Sequence, residues 1–211
     1  MCHNRNMPKI VDPGARRRAV AEAVLRVVQR EGVEGASLRN VAEEAGLAVG
    51  SVRHYFAGHD EVLIFAMTEL SARIEHRVRI HAERLLDPGA AGEHRARAEE
   101  LLSEFLPLDE ERREEAMLWQ AFTTAARTRP VLRPHAVDLE AGMRDLVKRV
   151  LRGAQEAGSL LDDLDAELET LRLSALLDGL TLQATLEPER ITPEALRNVL
   201  RRHLRTLRKE A

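Results

Sequence analysis

The chain has 211 residues, 44% of them hydrophobic and 32% charged, with a net charge of −3. Leu, Ala, Glu and Arg outnumber the β-branched and aromatic residues that favour strands, so an all-α fold of one large domain or two small ones is expected. A lone Cys2 excludes an internal disulfide, and no run of about 18 apolar residues is present to span a bilayer, which with no apolar leader makes the expected location cytoplasmic.

Residues 1–11 read as a flexible arm. Asp12-Pro13 then starts a helix, with Asp as N-cap and Pro at the first position; Val20, Ala23, Val24, Val27 and Val28 mark its apolar face, and Gly32 stops it. Ser37 opens a second, short helix carrying Leu38, Val41, Ala42 and Ala45, closed by Gly46. Gly50-Ser51 opens a third that runs through Phe56 and breaks at Ala57-Gly58. Two brief helices joined by a Gly-containing turn make a helix-turn-helix, which assigns residues 12–60 to a DNA-binding domain. These first 60 residues carry nine Lys/Arg against seven acids while the rest of the chain is acidic, a polarity that suits an anionic partner at this end.

Residues 61–211 read as a second, larger domain. A long fourth helix is expected from about Asp60 to Leu86, with Leu63, Met67, Leu70, Ile74 and Val78 at three- and four-residue steps, broken by Asp87-Pro88-Gly89. Five more follow, over Glu93–Leu106, Asp109–Thr128, Val131–Ala157, Asp165–Leu186 and Thr192–Arg208, about nine in all. The helix from Asp165 has two apolar faces: Leu168, Leu171, Ala175, Leu182 and Leu186 on one side, and Leu173, Leu176, Leu177 and Leu180 on the other. The last helix adds a stripe of Leu196, Val199, Leu200, His203, Leu204 and Leu207. Two helices from each of two copies would bury both stripes in a four-helix interface; burial at the centre of the chain's own domain is the alternative. Gly179, costly in mid-helix, fits a close helix crossing under either reading.

The segment "GVEGASLRNVAEEAGLAVGSVRHYFAGHDEVL", Gly32 to Leu63, resembles the DNA-binding segment of the TetR family of bacterial transcriptional regulators. The stretch from "GAQEAGSLLDDLDAELETLRLSALLDGL" onward resembles the C-terminal half of the branch that includes choline-responsive repressors. The resemblance implies a repressor that binds a palindromic operator in double-stranded DNA as a homodimer and is released by a small-molecule effector. In a helix-turn-helix the second helix enters the major groove with its N-terminal residues toward the base edges, which places Val49, Gly50, Ser51, Arg53 and His54 there. Val49 suits a thymine methyl, Gly50 allows close backbone approach, and Arg53 suits bidentate contact with guanine, with phosphate contact as its alternative. Ser37 caps its helix and, as in similar proteins, donates to a phosphate; Arg39 and Arg16 to Arg18 add sequence-independent affinity. Tyr55 is divided between a phosphate contact and packing. Arg53 and His59 depart from the family pattern, His59 standing where relatives carry a phosphate-binding Lys.

The resemblance further implies an effector pocket among the middle helices. Phe105, Met117, Trp119, Phe122, Met143 and Leu177 are its apolar candidates, and Thr123, Arg127 and His135 its polar ones. Catalysis, metal binding and a cofactor are not expected. His76 and His81 are five residues apart, off the spacing that puts two ligands on one helix face, and Asp162 to Asp165 lack the Gly and Glu of a calcium loop. A helical interaction module with a vestigial helix-turn-helix is the rival to the regulator.

Overall fold

The computed structural model describes residues 13–85 and 94–209. Among them are nine α-helices and a short 3-10 helix, with no strand beyond an isolated bridge between Leu160 and Arg208. The chain divides into two compact units, Met1–Glu69 and Leu70–Ala211.

In the N-terminal unit α1 spans Pro13–Glu31 and buries Val20, Ala23, Val24, Val27 and Val28, the face its spacing predicts. The expected Asp12 cap lies outside the described residues. Gly32, at φ 74°, ends the helix, and the 3-10 helix Val33–Gly35, not foreseen in the sequence, leads into α2, Leu38–Glu44. Ser37 caps α2 by accepting from the Asn40 N–H at 3.1 Å, while the Asn40 side chain donates to the Gly35 carbonyl at 2.9 Å and ties the helix start to that turn. The α2 end is a Schellman turn. Leu47 N–H donates to Ala42 O at 2.8 Å and Gly46 N–H to Glu43 O at 3.1 Å, a geometry that needs the positive φ of 65° at Gly46.

α3 follows at once over Val49–Tyr55, one residue earlier than the Gly50-Ser51 start expected, because Ala48 serves as N-cap without a side-chain bond. Val52 and Phe56 are fully buried. The Phe56 ring sits 5.4 Å from that of Phe65 in α4, His59–Leu85, and the Arg17 guanidinium of α1 lies 5.2 and 5.1 Å from the two ring centroids. These contacts draw the first turns of α4 into the N-terminal unit, which extends to Glu69.

The C-terminal unit holds the rest of α4 with α5 (His94–Ser103), α6 (Glu110–Thr128), α7 (Arg133–Glu156), α8 (Ala166–Leu186) and α9 (Pro193–Thr206). Asp109, Asp165 and Thr192 cap α6, α8 and α9 through their side chains, as the start signals predict. α5 ends at Ser103, short of the expected Leu106, and α7 begins after Val131 because residues 130–132 form a turn with Leu132 buried beneath it. The core gathers Leu102, Leu106, Val147, Leu151, Leu173 and Leu177 with Leu196, Leu200 and Leu207.

That core corrects part of the expected dimer stripe. Leu196, Leu200 and Leu207 have no surface left for a partner, and Leu204 packs against the same core. His203 turns inward to Glu169, Nε2 to Oε1 2.8 Å, and burial, abetted by Arg172 and opposed by Glu169, holds its imidazole below the usual range. On α8 both faces are as read: Leu173 and Leu177 are in the core, while Leu168, Leu171, Ala175, Leu182 and Leu186 are exposed, Leu186 by 71%. A Cβ at Gly179 would meet nothing within 4 Å, so no crossing within the chain requires that glycine.

Candidate functional site

α3, the second helix of the helix-turn-helix, has one buried side and one exposed side. Val52 and Phe56 anchor α3 to the core on one side, and Gly50, Arg53 and His54 stand exposed on the other, with Val49, Ser51 and Tyr55 half-buried between. The His54 and Tyr55 rings meet edge to face at 5.2 Å. Nothing lies within 4 Å of where a Cβ would sit on Gly50, so the glycine is not demanded by the chain's own packing. Arg39 and Arg53 are exposed and form no ion pair among the described residues, which leaves both guanidinium groups for an outside anion.

The nearby acids are handled differently. Glu44 is held by Arg26 at 2.6 Å and Arg30 at 3.0 Å, and these hydrogen bonds set its carboxyl below the usual range. Glu61 accepts from the Ala57 N–H at 2.6 Å, closing the start of α4. His59, where the resemblance leaves a phosphate contact open, has its Nε2 3.2 Å from the Val33 carbonyl oxygen, an acceptor that requires the proton on that nitrogen. The ring is thus engaged inside the unit.

A second site lies within the C-terminal unit. Helices α4, α6, α7 and α8 and the turn after α5 enclose a cavity of about 480 Å³. Of the sequence candidates, Phe105, Trp119, Met143 and Leu177 line it. Phe122 does not, because it is fully buried in the core; Met117 faces solvent, and His135 lies apart from the lining. Thr123 and Arg127 line a separate, wider cleft with Thr124, Arg133 and Arg144. The sequence reading missed Ile74 and Val78 of α4, visible as an apolar stripe but not assignable to a cavity, and missed Glu140 and Asp178 altogether.

One end of the cavity is a charge network. Arg77 of α4 forms a two-pronged bond with Glu115 of α6, one arm at 2.9 Å, and reaches Glu104 at 3.2 Å. Arg112 binds Glu104 at 3.0 Å, and His81 Nε2 stands 3.4 Å from the same carboxylate. The bond to Glu115 above all drives the Arg77 pKa upward. Asp178 is the opposite case. It has no hydrogen bond or ion pair among the described residues, and crowding by protein, with Glu140 adding repulsion against a weaker pull from Arg144, raises its pKa to about 6. No three His, Cys, Asp or Glu side chains among the described residues are grouped to hold a metal, and no described helix is long and apolar enough to cross a membrane.

Comparison with known proteins gives the family of both parts of the chain. Residues 21–64 match the model of bacterial regulatory proteins of the tetR family, and residues 94–209 match that of the BetI-type transcriptional repressor C-terminal domain. The HTH-type transcriptional regulator PksA of Bacillus subtilis (strain 168) is 37% identical over 202 residues, covering 95% of this chain and 94% of that protein. The HTH-type transcriptional regulator BetI of Vibrio campbellii (strain ATCC BAA-1116) is 27% identical over 199 residues, 94% of each. A solved transcriptional regulator from Rhodococcus sp. Rha1 superposes with a TM-score of 0.75 at 30% identity, over 90% of this chain and 95% of that one. The chain belongs to the TetR family of transcriptional regulators, with a C-terminal domain of the BetI type.

Proposed function

We propose that the chain is a cytoplasmic repressor that binds a palindromic operator as a homodimer and leaves it when a small molecule enters the cavity. The observation that carries this reading is the face of α3: a glycine with open space above it, next to the exposed Arg53 and His54. That arrangement suits close approach to a major groove, with Arg53 on guanine and Val49 and Ser51 beside it. Ser37 at the α2 start, Arg39 and Tyr55 take the phosphates on either side.

The second copy would cover Leu168, Leu171, Ala175, Leu182 and Leu186 of α8 and Val199 of α9, all exposed, with Gly179 allowing the two α8 helices to cross closely. Such a dimer sets one α3 into each of two major grooves about 34–36 Å apart. An effector that prefers a different spacing weakens binding by its differential affinity alone, so tenfold release takes about 1.4 kcal/mol. α4 has residues in both units and its Ile74 and Val78 line the cavity, which makes it the natural lever.

Selection of bound sequences from random DNA, followed by gel shift of Arg53→Ala, tests the reading. A palindrome should be enriched, and the variant should lose preference at one base pair by about 1–3 kcal/mol. Enrichment of no sequence would leave only a vestigial helix-turn-helix, and a uniform loss across sequences would move Arg53 to the backbone.

A further inference from the structure

The cavity wall has a sign. Glu104 and Glu115 are committed to Arg77 and Arg112. The lining acids Glu75 and Asp138, exposed like Asp178, are matched in number by the exposed lining bases Arg79 and Arg149. That leaves Glu140 and Asp178 facing Arg144, which lies 3.9 Å from Glu140, so one negative charge is unbalanced and Asp178 is without a partner among the described residues.

The remaining wall is apolar and carries Trp119, the only Trp in the chain, together with Phe105, Met143 and Leu177. A space of about 480 Å³ with this lining is built for a molecule with a sizeable apolar body. A carboxylate crowded by protein and repelled by its neighbour gains when a cation arrives, and an indole face adds to that gain.

We propose that the cavity binds an amphipathic monocation, its positive head held by Asp178 and Glu140 and its apolar body against Trp119. The inference rests on the cavity being the effector site. It differs in kind from recognition of a small bare cation, which would leave most of the apolar wall against water.

Trp119 reports occupancy directly, because no other Trp contributes to the emission. The purified protein is titrated with 4-phenylbutylamine, 4-phenylbutanol and 4-phenylbutanoate, one apolar body with three charges, and with choline as a head lacking that body. The amine should shift Trp119 emission with about tenfold tighter binding than the alcohol, and the acid and choline should bind more weakly still. Asp178→Asn should bring amine and alcohol within about threefold of each other.

The amine stays protonated across neutral and mildly acidic pH, so lowering the pH from 7.5 to 5 protonates Asp178 and should weaken the amine about tenfold. The His81 ring stands beside Glu104, and the carboxylates of Glu75, Glu104, Glu115, Asp138 and Glu140 and the guanidinium groups of Arg79, Arg112, Arg144 and Arg149 face or flank the cavity. The pH series is therefore repeated in Asp178→Asn, where the dependence should vanish. If it persists, Asp178 is not the counter-ion and the proposal fails. Equal binding of alcohol, acid or choline overturns the charge or size assignment while keeping the cavity as a ligand site. No emission change with any of the four overturns the effector site itself. Should Asp178→Asn not fold, the ranking of the four ligands and the pH series on the unaltered protein still decide.

Discussion

The two units differ in whether they carry charge into the interior. In the N-terminal unit the ion pairs are surface ones: Arg26 and Arg30, half exposed, bridge to Glu44, and Arg39 and Arg53 point outward. The C-terminal unit has surface pairs too, such as Lys148 and Arg152 on Glu167, but it also takes carboxylates inside: the side chains of Glu104, Glu115 and Glu169 are each less than one-tenth exposed, the first two paired with Arg77 and the third with His203. The difference suits the partners proposed for each unit. A polyanion is attracted by charge that stays in water and is screened by salt, whereas a small molecule is sorted by charge fixed in a protein wall.

The contrast breaks most visibly at Arg77. Replacing it by Met strips Glu115 of its partner in a buried setting and leaves Glu104 with Arg112 and His81, and should cost about 3 kcal/mol in chemical denaturation. A double change with Glu115→Leu should recover a good part of this, because the buried charge goes too. Recovery of nothing would mean that the network holds the helices by shape and not by charge.

A smaller effect is expected at Asp178, with its own sign. Its folded pKa, about 6, lies above the ordinary carboxylate value, so the folded chain binds the proton more tightly than the unfolded chain does. Stability from this group is greatest in acid and is lost as pH rises from about 4 through about 6. Asp178→Asn should therefore gain on the order of 1 kcal/mol at pH 7.5, after allowance for solvent screening of an exposed group, and nothing at pH 4. An equal change at both pH values, read by thermal melting, would detach the effect from ionisation.

Ser37→Ala loses the α2 cap and should cost about 1 kcal/mol, measured with the full chain by denaturant titration. Operator affinity should drop further than stability alone explains if the hydroxyl also meets a phosphate. The least change is expected for Arg26→Ala. Its pair with Glu44 is a surface one, and any difference in melting temperature should fade with added salt; a difference that survives high salt would place this pair with those of the other unit.

The helix starts and stops were legible in the sequence because their causes are local. Ser37, Asp109, Asp165 and Thr192 bond to backbone within three residues, and Gly32, Gly46 and Gly158 take the positive φ that ends a helix. The two faces of α8 were legible for the same reason, as spacing along one helix. Which leucines of α9 face inward was not, since Leu196, Leu200 and Leu207 are placed by residues in α5, α7 and α8 far away in sequence. Phe122 and Trp119 show the limit for the cavity. Both are large aromatics on α6 three residues apart, yet one is core and the other wall, and only the packing of α7 and α8 against that helix separates them. Asp178 carries no motif at all, and its character comes from crowding and from Glu140 on the neighbouring helix.

Gly50 bears on how such a protein could be retargeted. A glycine inside a helix costs up to about 1 kcal/mol against alanine, and the space above this one is empty in the free chain. An alanine there meets no described atom and should cost the fold nothing, so, under the proposed contact of this residue with DNA, its effect would be read in operator choice and not in stability.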